Sequence, residues 1–166
     1  MPNLNRIQKI EPGQTFFVTK QGLEEIKREY QKLKEIKIIK TNSEGPKILH
    51  SDDLDPEYRD FQEDLNLLES RLASLEYILE HNQLIGPPAE ELKNTVQLGA
   101  RVALEINGQE DEFFIVGTIE ADPSLGRISN DSPVGRALIG HRVGEEIVMA
   151  SPVKTSYKIK KINYSA

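Results

Sequence analysis

Residues 56–88 read PEYRDFQEDLNLLESRLASLEYILEHNQLIGPP, and the spacing of their apolar residues decides the fold. Tyr58, Phe61, Leu65, Leu68, Leu72, Leu75 and Leu79 recur at alternating intervals of three and four. That is a heptad seam, the pattern of a helix that lays one narrow apolar stripe against a partner. Helical from about residue 57 to 82, the segment is roughly 40 Å long at ~1.5 Å per residue. Gly86 suits a helix C-cap, and Pro87-Pro88 bars continuation.

The partner stripe lies upstream, in VTKQGLEEIKREYQKLK (18–34), where Leu23, Ile26, Tyr30 and Leu33 are spaced 3, 4, 3. Thr19 is placed to cap this helix, and Glu24 and Glu25 sit in early turns favoured by the helix dipole. The seam blurs through 35–47, and Gly45-Pro46 breaks any helix there. Two seamed helices with a short break between them predict an antiparallel coiled-coil hairpin. The alternative is a compact bundle, which needs a further long helical pattern that the sequence does not offer.

The break carries LHSDDLDPEYRDF (49–61), with Asp52, Asp53, Asp55 and Glu57 inside six positions. Carboxylates this close repel one another, and the end of a solvated arm is where that costs least. The two arms differ in charge. Residues 19–47 hold eight basic and five acidic side chains; residues 48–82 hold ten acidic and two basic. Mutual pairing of the arms accounts for this at ~0.2–1 kcal/mol per exposed pair. A hairpin edge that faces phosphate accounts for it as well.

Beyond residue 90 the apolar period changes to two. ARVALEI, EFFIVGTI, EIVMASP and SYKIKKI read as strands, and Asn107-Gly108 as a tight hairpin turn. SPVGRALIGHRV (132–143) interrupts them with a short helix: Ser132 caps it, Pro133 opens it and Gly140 ends it. The fold class is therefore α+β in two domains. Residues 1–90 form the hairpin, with its tip at about 44–57, and residues 91–166 form a small antiparallel sheet with one helix.

Composition narrows the function. A net charge of -6 argues against non-specific coating of nucleic acid. No cysteine is present, so disulfides and thiolate metal sites are excluded, in keeping with a cytoplasmic protein. No apolar run spans a membrane, and MPNLNRIQKIEPGQ lacks the apolar core of a secretory signal. His50, His81 and His141 are scattered, without zinc-site spacing. His50 reads as an exposed loop histidine beside the acidic tip. The oligomeric state expected is a monomer.

A hairpin with a carboxylate tip, followed by IVGTIEADPSLGRISNDSPVGRALIG (115–140), resembles the bacterial Gre transcript cleavage factors over nearly the whole chain. The resemblance implies an FKBP-like C-terminal domain that binds bacterial RNA polymerase at the rim of its secondary channel. The hairpin would enter that channel, and its tip would help hold a Mg²⁺ shared with the polymerase and orient a water. The polymerase would then cleave the backtracked transcript near its 3′ end. On this reading the protein is an accessory factor, not an enzyme, and holds no cofactor when isolated. Carried over residue by residue, the docking element falls on Ser129, Asp131 and Pro133. The basic patch for the transcript end falls on lysines such as Lys34, Lys37, Lys40 and Lys47.

The tip carboxylates are Asp53, Asp55 and Glu57, with Asp53 and Asp55 as the metal-facing pair. Here the chain departs from the family. The pattern Asp-Leu-x-Glu-Asn-x-Glu-Tyr is replaced by DLDPEY, two residues shorter (53–58). Asp53-Leu54 and Glu57-Tyr58 match, while Asp55-Pro56 stands where the decisive Glu belongs. Gre-like proteins with Asp-rich tips inhibit polymerase instead of promoting cleavage, so inhibition is the second expectation. A third is peptidyl-prolyl isomerase activity, from the FKBP-like domain alone, which fold does not carry by itself.

Overall fold

The computed structural model describes residues 13–42, 56–149 and 154–164. Contacts divide the chain into two compact units. One contains Thr15–Gly22 and Asn82–Ala166, the other is built on Leu23–His81. Residues 82–90 and the strand before the first helix thus group with the sheet rather than with the hairpin.

The hairpin unit is made by α1 (Lys20–Asn42) and α2 (Pro56–Glu80). Lys40 meets Asp64, Lys37 meets Glu69 and Glu29 meets Arg71, so the helices run antiparallel. The heptad reading holds. All seven seam residues of α2 are sheltered, whereas Leu67, off the seam, is 61% exposed. Ile26, Leu75 and Ile78 are buried, worth ~1.5–3 kcal/mol each. In α1 the rhythm runs on past Leu33 to positions 37 and 40, which are lysines. Their aliphatic stems continue the stripe while their heads reach the acidic helix.

Helix α2 stops at Glu80, six residues before Gly86. Gly86 is therefore not its cap. The chain turns at His81, whose ring stacks on Tyr77 with centroids 4.0 Å apart. It then becomes β2 (Asn82–Leu84), parallel to β1 (Phe16–Val18), and the Ile85 amide donates to the Val18 carbonyl at 2.7 Å.

In the sheet unit, β3 (Ala100–Ile106), β4 (Gln109–Val116), β5 (Arg127–Ser129), β6 (Glu146–Met149) and β7 (Thr155–Tyr164) stand in the order β5-β4-β3-β7-β6. Asn107 and Gly108 both take positive φ, 52° and 82°, as a two-residue hairpin turn between β3 and β4 requires. The sheet is mixed rather than wholly antiparallel, because β5 pairs parallel to β4. A compact crossover of two 3-10 turns, Thr118–Glu120 and Pro123–Leu125, brings β5 back in that direction. Asp122 caps the second turn, and the Ser124 hydroxyl bonded to it holds its carboxyl below the ordinary range.

The core is Val96, Ala100, Val102, Leu104, Ile115, Leu138 and Ile159. Leu138 comes from α3 (Pro133–Leu138), which is capped by Ser132 and opened by Pro133 as its sequence predicts. Among the described residues, no helix is long and apolar enough to cross a membrane.

Candidate functional site

Helix α2 opens at Pro56, whose fixed φ and missing N–H suit a first helical position. That puts Glu57 in the first turn, where the dipole favours a carboxylate. Tyr58 follows on the seam, its hydroxyl accepting from Gln62 at 2.8 Å. Asp53, Asp55, Lys47 and His50 lie outside the described residues. The described part of the arm therefore supplies one of the three tip carboxylates, at the start of α2. Among the described residues, no group of three or more His, Asp or Glu side chains could hold a metal ion.

Two lysines of α1 pair across the hairpin. Lys37 Nζ lies 2.8 Å from Glu69 and Lys40 Nζ 2.6 Å from Asp64. The Lys34 ammonium sits 5.9 Å from the centre of the Tyr30 ring, a cation–π contact. Cross-helix pairing, one of the two readings of the split charge, is realised at Lys37 and Lys40. Near the same end, Ile38 and Ile39 of α1 are exposed.

The Ser129–Pro133 loop follows β5 and is braced from inside. The Ser129 hydroxyl accepts from the Asp131 amide at 3.0 Å, and the Ser132 hydroxyl donates to the Ser129 carbonyl at 2.8 Å. Arg136 Nε donates to the Asp131 carbonyl at 2.9 Å. Ser132 caps α3 as its sequence predicts, accepting from the Gly135 amide at 3.0 Å. The Asp131 side chain is thereby left exposed beside exposed Pro133, presented on a rigid turn. Gly135 is required here, since a Cβ would overlap the Ser129 carbonyl oxygen.

A cleft of about 380 Å³ in the sheet unit is lined by Glu91, Asn94, Thr95, Arg142 and Val143. These are polar and aliphatic side chains, without the aromatic walls that hold a proline ring.

One cluster escaped the sequence reading. Glu120 is 4% exposed, and its carboxylate accepts from the Thr19 amide at 2.6 Å and the Thr19 hydroxyl at 2.5 Å. Thr19 caps α1 as expected, its hydroxyl accepting from the Gly22 amide at 3.0 Å. No local signal marks Glu120, because its partners are about a hundred residues away.

Residues 91–164 match the family described as "Transcription elongation factor, GreA/GreB, C-term". Transcription elongation factor GreA of Thermomicrobium roseum is 37% identical over 81% of this chain and 88% of its own. GreA of Listeria monocytogenes is 37% identical over 90% of this chain and 96% of its own. Among solved structures, GreA factor homolog 1 (Gfh1) of Thermus thermophilus is 27% identical with a TM-score of 0.39, covering 90% of this chain and 99% of that one.

Proposed function

The chain belongs to the GreA/GreB family of transcription elongation factors, and from that premise we propose that it acts on bacterial RNA polymerase, stimulating Mg²⁺-dependent cleavage of backtracked transcripts. It is an accessory to transcription elongation rather than an enzyme in its own right. The observation that carries the cleavage reading is the antiparallel pair α1 and α2. Their far ends, Asn42 and Pro56, are joined in sequence by the segment that holds Asp53 and Asp55, and Glu57 lies in the first turn of α2.

Each part has a role on this reading. The Ser129–Pro133 loop docks on the polymerase, with the Asp131 carboxylate and the Pro133 ring as its exposed features. The hairpin carries the tip through the secondary channel. Asp53 and Asp55 offer the hard oxygen donors that Mg²⁺ prefers, and they complete a site whose other ligands belong to the polymerase. The bound ion supplies charge stabilisation for the attacking and leaving oxygens. Glu57 accepts a hydrogen bond from the attacking water and orients it. Lys34, Lys37 and Lys40 of α1, with Lys47 further along the sequence, are the cations offered to the transcript 3′ end. The factor works as a monomer in the cytoplasm.

A second reading is favoured by one specific observation, the shortened DLDPEY (53–58). Without the family's Glu, the tip would fill the channel and slow nucleotide addition. Backtracked elongation complexes of the source organism separate the two. Cleavage stimulated by the protein and lost in Asp53→Ala supports the first reading. Unchanged cleavage together with slowed elongation, relieved by Asp53→Ala plus Asp55→Ala, supports the second. If neither cleavage nor elongation changes at saturating protein, both readings fail.

A further inference from the structure

Helix α1, the first arm of the hairpin, begins inside the sheet unit, since residues 20–22 belong to that unit. Its first turn and the residues that lead into it are gripped there by the segment 117–120 through three contacts. The carbonyl of Phe17 lies against Gly117 so closely that a Cβ would overlap it. Glu120 then accepts from both the amide and the hydroxyl of Thr19, at 2.6 and 2.5 Å. Finally, the Glu120 carboxylate fills the space where a side chain on Gly22 would stand.

A buried carboxylate is costly unless its oxygens are bonded, and here both oxygens are. Its charge also sits at the positive end of the α1 dipole, which opposes the cost. The hydroxyl it orients passes the grip on to the Gly22 amide at 3.0 Å. Glu120, Thr19 and Gly22 thus form a relayed cap, in which a group from the sheet unit fixes the starting turn of the arm.

We propose that Glu120 is a positioning residue for the factor's action on polymerase, holding the first turn of α1 in the ordered form from which the rest of the helix propagates. This rests on the functional reading above. Misplacement on the order of 1 Å, far from the chemistry, can cost a reaction roughly 100-fold.

The test uses the full-length protein on backtracked complexes, titrated to saturation, with wild type, Glu120→Gln, Gly22→Ala, Thr19→Val and Thr19→Ser. Maximal effect and half-saturating concentration are read separately, beside melting temperature and amide exchange at residues 19–22. Glu120→Gln, Gly22→Ala and Thr19→Val are expected to lower the maximal effect about tenfold or more. They should leave half-saturation within about twofold and speed exchange in the first turn. Thr19→Ser keeps the hydroxyl and restores wild-type behaviour. Wild-type maxima in Glu120→Gln and Thr19→Val would overturn the assignment. So would a parallel loss of maximum, affinity and melting temperature, which marks a role in folding alone. A wild type without effect on polymerase would overturn the functional reading itself, and the positioning role with it.

Discussion

Arg71 of α2 reaches across the hairpin to Glu29 of α1, its Nε donating to Oε1 at 2.9 Å. Its Nη2 lies 2.8 Å from the same oxygen, close enough to feel the charge but not aimed as a hydrogen bond. The two side chains are only 19% and 25% exposed, and Glu29 Oε2 is buried without a partner. Such a pair is expensive to assemble and more expensive to break. Arg71→Ala should therefore destabilise the hairpin by ~1–3 kcal/mol, less than a fully buried pair would lose. Glu29→Leu with Arg71→Leu should recover most of that loss. Chemical denaturation followed by helicity checks both, and a double variant as weak as Arg71→Ala would contradict the expectation.

Lys37 and Lys40 make exposed pairs with Glu69 and Asp64. Each should contribute ~0.2–1 kcal/mol, fading toward 1 M salt, where the screening length is ~3 Å. Exchanging charges, Lys37→Glu with Glu69→Lys, keeps the pair and moves the cation to the other helix. The exchanged protein is expected to melt like wild type and to stimulate cleavage less, provided Lys37 faces the transcript. Unchanged stimulation would remove Lys37 from the nucleic-acid-facing set.

The Ser129–Pro133 loop, proposed above to dock on polymerase, allows contact to be separated from scaffold. Asp131→Ala removes an exposed carboxylate whose backbone does the local bonding. It should weaken polymerase binding about tenfold, ~1.4 kcal/mol, without moving the melting temperature. Gly135→Ala pushes on the Ser129 carbonyl and should lower both. Titration of labelled polymerase beside a thermal melt distinguishes them.

Tyr164 donates its hydroxyl to the Thr95 carbonyl at 2.5 Å and accepts from the Gln97 amide at 2.9 Å. Burial raises its pKa above the ordinary value, and the Gln97 amide partly offsets this. A raised folded pKa means the contribution is whole below pH ~10 and is lost as pH climbs through the folded value. Tyr164→Phe should cost ~1–3 kcal/mol at neutral pH, from two stranded backbone groups. It should also flatten the alkaline limb of the stability profile, which thermal melts across that range would reveal.

What the sequence disclosed was local. The seam of α2, the Asn107-Gly108 turn and the Ser132-Pro133 start of α3 are each written in neighbouring residues, so pattern alone finds them. What escaped was short or distant. Strands β1, β2 and β5 have three residues each, too few to show a period, and two of the ladders they form are parallel. Gly86 mimicked a cap, but α2 ends at Glu80 and the chain goes on to pair with β1 before reaching it. Positions 37 and 40 hid the rest of the α1 seam because lysine reads as polar while its stem packs as apolar. Of the candidate site, the loop at Ser129–Pro133 and the start of α2 were readable, but the Glu120 grip on Thr19 was not.

The parallel pairing of Phe16 with Asn82, and of Val18 with Leu84, brings the chain's departure into the hairpin and its return from it to one doorway. A segment whose two ends are pinned side by side can be lengthened, shortened or exchanged with little strain passed to the rest of the molecule. The doorway also marks where an experimenter would cut, grafting the hairpin of a cleaving relative between β1 and β2 to ask whether the tip alone decides what the factor does.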